Sequence, residues 1–236
     1  MDKELNTEKL EVLVGKRVVH YHLTRAMESN RPILIILHGH GFVKSPAQFR
    51  SPNWNVVCPI DNFGVNNWGS WFLGEQGDFF WLDAMKAIID SVREKTGRGK
   101  LFFWGSSMGG YGALLHGRLN QATAVYANVP QTWLLGSNYS EGGQIKYFEP
   151  IFGDRIENKY NDLKYLFESR SRTKYFLCFN QLERGRYFSQ QGLAFVEKLD
   201  ELQQPFYLEV RPIQAHGKNH GISESIGLFN KYLAAS

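Results

Sequence analysis

The stretch Arg31-Pro-Ile-Leu-Ile-Ile-Leu37 ends in five consecutive large aliphatic residues with no polar position among them. A strand with one face in water alternates apolar and polar residues, so an uninterrupted run marks a strand covered on both faces. Helices that connect parallel strands provide such cover. The run is also far too short to cross a bilayer, which takes about 20 apolar residues in a helix. Further β-rich runs at 54–60, 101–104, 122–129, 173–179 and 206–213 alternate with longer stretches of helical character. Gly15-Lys16 is predicted to turn a hairpin between 10–14 and 18–23. Trp81, Met85, Ile88 and Val92 recur at helical spacing, with Asp78 as the expected N-cap and Gly97 as the expected C-cap. Phe188, Phe195, Leu199 and Leu202 mark another helix, and 223–233 a last one. The expectation is one α/β domain over 1–236, a mostly parallel central sheet flanked by helices. Residues 130–172 show no clear periodicity, and a segment that long inside a compact domain reads as a small lid-like insertion.

Composition narrows the function. At 236 residues, 43% hydrophobic and 14% aromatic, the chain can bury a sizeable core, which excludes disordered and collagen-like classes. Lys plus Arg exceed Asp plus Glu by 27 − 23 = +4, and the charges are scattered, so no nucleic-acid partner is expected. The clusters Arg170, Arg172, Lys174 and Arg184, Arg186 read as solvated surface, with steering of an anionic substrate as the alternative. Cys58 and Cys178 lie inside strand-like runs and read as buried free thiols, which excludes a disulfide scaffold. The first ten residues lack the apolar core of a leader peptide, and no run is long enough to span a membrane. A soluble, cytoplasmic protein is expected.

The chemistry concentrates in Gly105-Ser106-Ser107-Met108-Gly109-Gly110-Tyr111-Gly112-Ala113. It fits G-x-S-x-G only with Ser107 at the centre, after a strand (Leu-Phe-Phe-Trp) and before helical residues. A sharp strand-to-helix turn holds such a serine in a strained conformation, and glycines on either side remove clashing side chains. The helix N-terminus then aims free N–H groups at developing negative charge. The structural alternative is a tight turn with an idle serine. At the end of the first aliphatic run, His38-Gly39-His40-Gly41 offers a second N–H, that of His40 or failing it Gly41, to join Met108 in an oxyanion hole. Structural packing is the alternative for these histidines; a zinc site is weaker, because no further ligands recur at zinc-like spacing.

A general base is expected late in the chain, where Gln214-Ala-His-Gly-Lys-Asn-His-Gly221 presents His216 and His220. His220 is favoured because its loop opens directly into the last helix. His20, His22 and His116 read as structural. Glu183 is the one carboxylate in Asn180-Gln-Leu-Glu-Arg-Gly-Arg186, and therefore the expected orienting acid. Its alternative is a surface pair with Arg184 or Arg186, with Asn180 as a neutral substitute; Asp200 reads as solvated. The Gly-rich turn lacks the G-x-G-x-x-G spacing of a nucleotide fold, so no cofactor and no metal is expected.

The order Ser107, Glu183, His220 on this alternating pattern resembles the α/β-hydrolase superfamily across almost the whole chain. The elbow and the His-Gly loop carry the likeness; the acid departs from it, since aspartate is commoner there. Residues 130–172 fall where that superfamily inserts its lid. The Gly-Ser-Ser-Met-Gly-Gly-Tyr-Gly-Ala string looks like esterase-like proteins, some of them in bacterial surface-polysaccharide pathways, including capsule O-acetyltransferases. The resemblance implies acyl-ester chemistry through an acyl-serine, in first place a carboxylesterase-type hydrolysis of short acyl esters. The alternatives are an O-acetyltransferase or deacetylase acting on a surface polysaccharide, and a catalytically silent binding scaffold. The partner would be a small-molecule acyl ester or a carbohydrate. Trp133 and Tyr139, with Tyr147 and Phe148, are the expected substrate contacts, stacking on sugar rings or forming a hydrophobic pocket.

Overall fold

In a computed structural model that describes residues 5–42, 47–217 and 220–233, the aliphatic run becomes β3 (Ile33–Leu37), buried along its length. Residues 1–4 of the N-terminal stretch, and Lys218 and Asn219 within the histidine loop, lie outside the described residues. Alternate side chains of β3 feed two cores: Ile33, Ile35 and Leu37 enter one, Leu34 and Ile36 the other. Each such burial is worth about 1.5–3 kcal/mol, so polar residues are selected against on both faces. The same division recurs in β5 (Leu101–Ser106), β6 (Ala124–Asn128) and β7 (Lys174–Asn180), where Phe103, Val125 and Leu177 face one core and Phe102, Tyr126 and Phe176 the other.

The hairpin forms as predicted, with Gly15 at φ 60° between β1 (Thr7–Val14) and β2 (Arg17–Thr24). With β4 (Asn55–Pro59) and β8 (Phe206–Arg211), the sheet has eight strands in the order β1-β2-β4-β3-β5-β6-β7-β8. β2 pairs antiparallel with both its neighbours, and the remaining pairs are parallel. From β3 the chain crosses to β4 on one side, then returns past β3 to β5 on the other. Loops leaving β3 and β5 therefore diverge, and a crevice opens between them at the carboxyl ends of the strands.

Helices α1 (Trp81–Thr96), α2 (Met108–Leu119), α3 (Ile145–Phe152) and α5 (Ala194–Glu201) bury side chains in the larger core, and the short α4 (Asn158–Asn161) adds Tyr160. On the opposite face α6 (Ile222–Leu233) packs Phe229 against Phe102 and Phe176. Gly97 caps α1 as expected, its N–H donating to the Arg93 carbonyl. Asp78 is not the N-cap: it pairs with Arg17 across 2.6 Å, and α1 begins three residues later, after Phe80. Both cysteines are free and buried. Among the described residues no helix is long and apolar enough to cross a membrane.

His116 of α2 is fully buried, and its Nε2 lies 2.7 Å from the Phe72 carbonyl, so Nε2 carries the hydrogen. Nδ1 is buried with no partner, and charging it would strand a proton in an apolar wall. Burial accordingly holds its pKa down at about 4. Below the ordinary value the unfolded chain takes up a proton that the folded chain refuses, so this contribution to stability is whole above pH 6.5. It is lost as the pH falls, by about 3 kcal/mol near pH 4. Thermal unfolding is expected to show that acid slope between pH 6.5 and 4. In His116→Gln, which keeps a donor for Phe72, the slope should flatten; an unchanged slope would assign it elsewhere.

Candidate active site

Ser107 joins β5 to α2 with φ 56° and ψ −119°, a left-handed region that costs a non-glycine residue about 1–3 kcal/mol. The surroundings enforce it. The Ser107 N–H donates to the Asn128 carbonyl at 2.9 Å. A Cβ on Gly105 would lie 1.9 Å from the Gly109 carbonyl oxygen, and one on Gly109 would lie 2.2 Å from that of Leu37. The glycines thus let the turn close against itself and against the end of β3. Met108, the first residue of α2, has no earlier helical carbonyl to receive its N–H.

The loop after β3 is pinned by His38. Its Nε2 accepts the Asp61 N–H at 2.9 Å, which places its own hydrogen on Nδ1, donating to the Gly39 carbonyl at 2.9 Å. Burial pushes the His38 pKa below the ordinary value, so it is a neutral strut. Asp61 is itself fully buried, accepting from Ser70 N–H (2.7 Å), Ser70 hydroxyl (2.9 Å), Phe72 N–H (2.7 Å) and the Trp81 indole (3.2 Å). His40 packs its ring against Trp68, Trp71 and Tyr147 at 5.6, 5.1 and 4.4 Å, and burial lowers its pKa as well. Among the described residues no three His, Cys, Asp or Glu side chains converge as metal ligands.

Glu183, in the loop after β7, meets His216, in the loop after β8: its Oε1 lies 2.5 Å from His216 Nδ1, and its side chain is 8% exposed. A carboxylate at Nδ1 holds the imidazole hydrogen there and leaves Nε2 with a lone pair. Asn180 does not substitute for the acid; its amide donates to the Ala215 carbonyl and ties the histidine loop to the end of β7. His216 and Ser107 line one cavity of about 710 Å³ at the carboxyl ends of the strands.

His220 stands elsewhere. Its Nε2 lies 2.6 Å from Glu209 and 3.0 Å from Arg211, and its Nδ1 lies 3.5 Å from Glu224. Its ring meets Tyr126, on the face of the sheet that α6 covers, and it does not line the cavity of Ser107. Of the two histidines, the structure brings His216, and not the favoured His220, into the cavity with the serine and against Glu183.

No protein-family profile and no curated protein sequence matches the chain. Solved structures do. The acylaminoacyl peptidase of Pyrococcus horikoshii aligns with a TM-score of 0.74 at 16% identity, over 98% of this chain and 42% of that one. The S-formylglutathione hydrolase of Agrobacterium tumefaciens gives 0.68 at 15% identity, over 97% and 92%. The fluorophosphonate-binding serine hydrolase FphF of Staphylococcus aureus gives 0.65 at 14%, over 97% and 96%. The fold is that of the α/β-hydrolases. This chain spans less than half the length of the peptidase.

Within this α/β-hydrolase fold, Gln131 is a site residue that the sequence reading missed. It follows β6, at the strand end where sites of open α/β sheets collect, and it is fully buried. Its Oε1 takes the Trp71 indole N–H at 3.0 Å; since an indole can only donate, the amide orientation is determined. Nε2 then donates to Ser107 Oγ at 3.1 Å and to the Tyr187 hydroxyl at 2.9 Å, while Tyr187 donates on to the Val129 carbonyl at 2.8 Å. Ser107 Oγ is an acceptor in this chain of bonds, which leaves its own hydrogen to point at another group. Gln131→Met fills the same volume without a donor. It is expected to lower kcat for any turnover at Ser107 by about 3- to 10-fold, the worth of the neutral hydrogen bond that positions Oγ. Steady-state kinetics beside a thermal melt checks this; an unchanged kcat in a folded variant would show that Gln131 only packs.

Of the expected substrate contacts, Tyr139 lines the cavity, stacked on His216 with ring centroids 6.3 Å apart. Burial pushes its phenol up to about 12, so it stays neutral. Trp133 is not in the cavity wall; its N–H donates to Gln191 and its ring lies over Gly136. Tyr147 sits against His40 and Trp68, and Phe148 is a core residue.

Proposed function

We propose that the protein hydrolyses uncharged carboxylic esters through an acyl-serine on Ser107. The observation that carries this reading is the shared cavity of a strained serine and a histidine whose Nδ1 is held by Glu183. In the proposed cycle His216 Nε2 takes the Ser107 proton as Oγ attacks the ester carbonyl carbon. The N–H groups of Met108 and His40 hold the resulting oxyanion, and its collapse expels the alcohol, which leaves with the proton from His216. Water, activated by the same imidazole, then attacks the acyl carbon and releases the acid. Glu183 keeps the imidazole in the required tautomer, and Gln131 holds the hydroxyl.

The cavity wall supports the proposed substrate class. Among the described residues its lining contains no Asp, Glu, Lys or Arg; Ile36, Phe42, Ile60, Trp104 and Tyr139 contribute apolar surface. A charged substrate entering there would lose hydration without a compensating charge among the described lining residues. Of the four aromatics behind the carbohydrate-acceptor alternative, Tyr139 is in that wall while Trp133, Tyr147 and Phe148 are not, which favours hydrolysis as the better supported reading.

Intact mass spectrometry with p-nitrophenyl acetate tests it. Nitrophenolate release, with a transient acetyl group mapped by peptide mass to Ser107, is the expected result. An acetyl that persists until an oligosaccharide is added would replace hydrolysis by transfer. Neither release nor adduct, with the same outcome for longer acyl chains, would overturn the reading in favour of a binding scaffold.

A further inference from the structure

A second, larger depression lies at the opposite end of the sheet. Its volume is about 1100 Å³, and its wall carries Lys100, Arg118, Arg170, Arg172 and Lys174, with no Asp or Glu among the described lining residues. Lys100 immediately precedes β5, whereas Ser107 immediately follows it; six strand residues separate the two ends by about 20 Å. The depression is thus a separate site.

Two features define it. Lys100, Arg118, Arg170 and Arg172 form no ion pair among the described residues, a condition shared with Arg184 and Arg186, and here four such cations line one depression that holds no carboxylate among its described residues. The loop presenting the arginines is also held from below. Gln204, 2% exposed, accepts the Ser171 N–H at 2.7 Å and donates to the carbonyls of Ser171 and Thr173 at 3.3 and 2.6 Å. Arg118 donates to the Ser169 carbonyl at 2.9 Å. Arg170 and Arg172 stay exposed on this anchored loop. Holding unpaired like charges side by side costs free energy that a multiply charged anion would recover, and guanidinium forks suit phosphate oxygens.

We propose that this cleft binds an oligophosphate group, a ligand with three or more negative charges carried on linked phosphates. It is independent of the ester chemistry at Ser107, and its test needs no turnover.

Titration calorimetry with inorganic tripolyphosphate at low ionic strength is the experiment. Saturable binding is expected, weakening as salt is added, and at least about tenfold tighter than binding of inorganic phosphate. The double variant Arg170→Glu/Arg172→Glu should lose at least about tenfold in affinity, while Arg184→Glu/Arg186→Glu, the same change of net charge at the other end of β7, should not. If the first variant melts early, Arg170→Ala/Arg172→Ala replaces it. No saturable binding would overturn the proposal. So would an equal loss in both double variants, which reports net charge alone, or phosphate binding as tightly as tripolyphosphate.

Discussion

Replacing His216 by alanine is expected to lower kcat for p-nitrophenyl acetate roughly a million-fold, the effect of removing the base of a serine triad. His220→Ala should leave kcat within about threefold, since its imidazole sits among Glu209, Arg211 and Glu224 on the far face of the sheet. The two substitutions remove the same group four positions apart, so the contrast isolates position from chemistry. His216 is solvent-exposed, and its removal should not unfold the chain; His220→Ala should appear in the thermal midpoint, because it loosens the start of α6. The reverse pattern of rates would return the base to His220 and would require the 216–220 loop to rearrange on binding substrate.

Glu183→Gln is the second large effect, about a hundred- to ten-thousand-fold in kcat. The carboxylate takes the Nδ1 hydrogen at 2.5 Å, whereas a glutamine can turn its NH2 toward Nδ1 and favour the tautomer with hydrogen on Nε2, facing the serine. Such a ring can no longer accept the Ser107 proton. The loss should fall on kcat, with KM little changed, since Glu183 is absent from the cavity wall. A wild-type kcat in Glu183→Gln would mean that the Glu183–His216 hydrogen bond only braces the loop, as the surface pairing with Arg184 or Arg186 would have done.

How much was legible beforehand differs element by element. The doubly buried β3, the hairpin turned at Gly15 and the strand-turn-helix around Ser107 were all readable, because each is set by residues adjacent in sequence. Asp78 misled as a helix start, because its carboxylate found Arg17, 61 residues away, and no local rule sees such a partner. Gln131 was invisible for a similar reason. Its meaning lies in Trp71, Tyr187 and Ser107, brought to it from three other parts of the chain.

The histidines show the boundary between the two sources of information. Residue order alone pointed to a histidine in the loop after β8 and a carboxylate after β7, and it singled out Glu183 because no other carboxylate stands there. It favoured His220 for lying next to the last helix, and that same proximity explains its actual position: α6 crosses the far face and draws the residue beside it there, to Glu209 and Tyr126. His216 stays at the strand end, tethered through Ala215 to Asn180. Sequence by itself determined the fold, the strained serine turn and the loops beside it, since these follow from hydrophobic period and backbone sterics. Which side chains meet was decided by the tertiary structure, because hydrogen bonds and ion pairs act over a few ångströms, and only the folded sheet brings distant loops within that range.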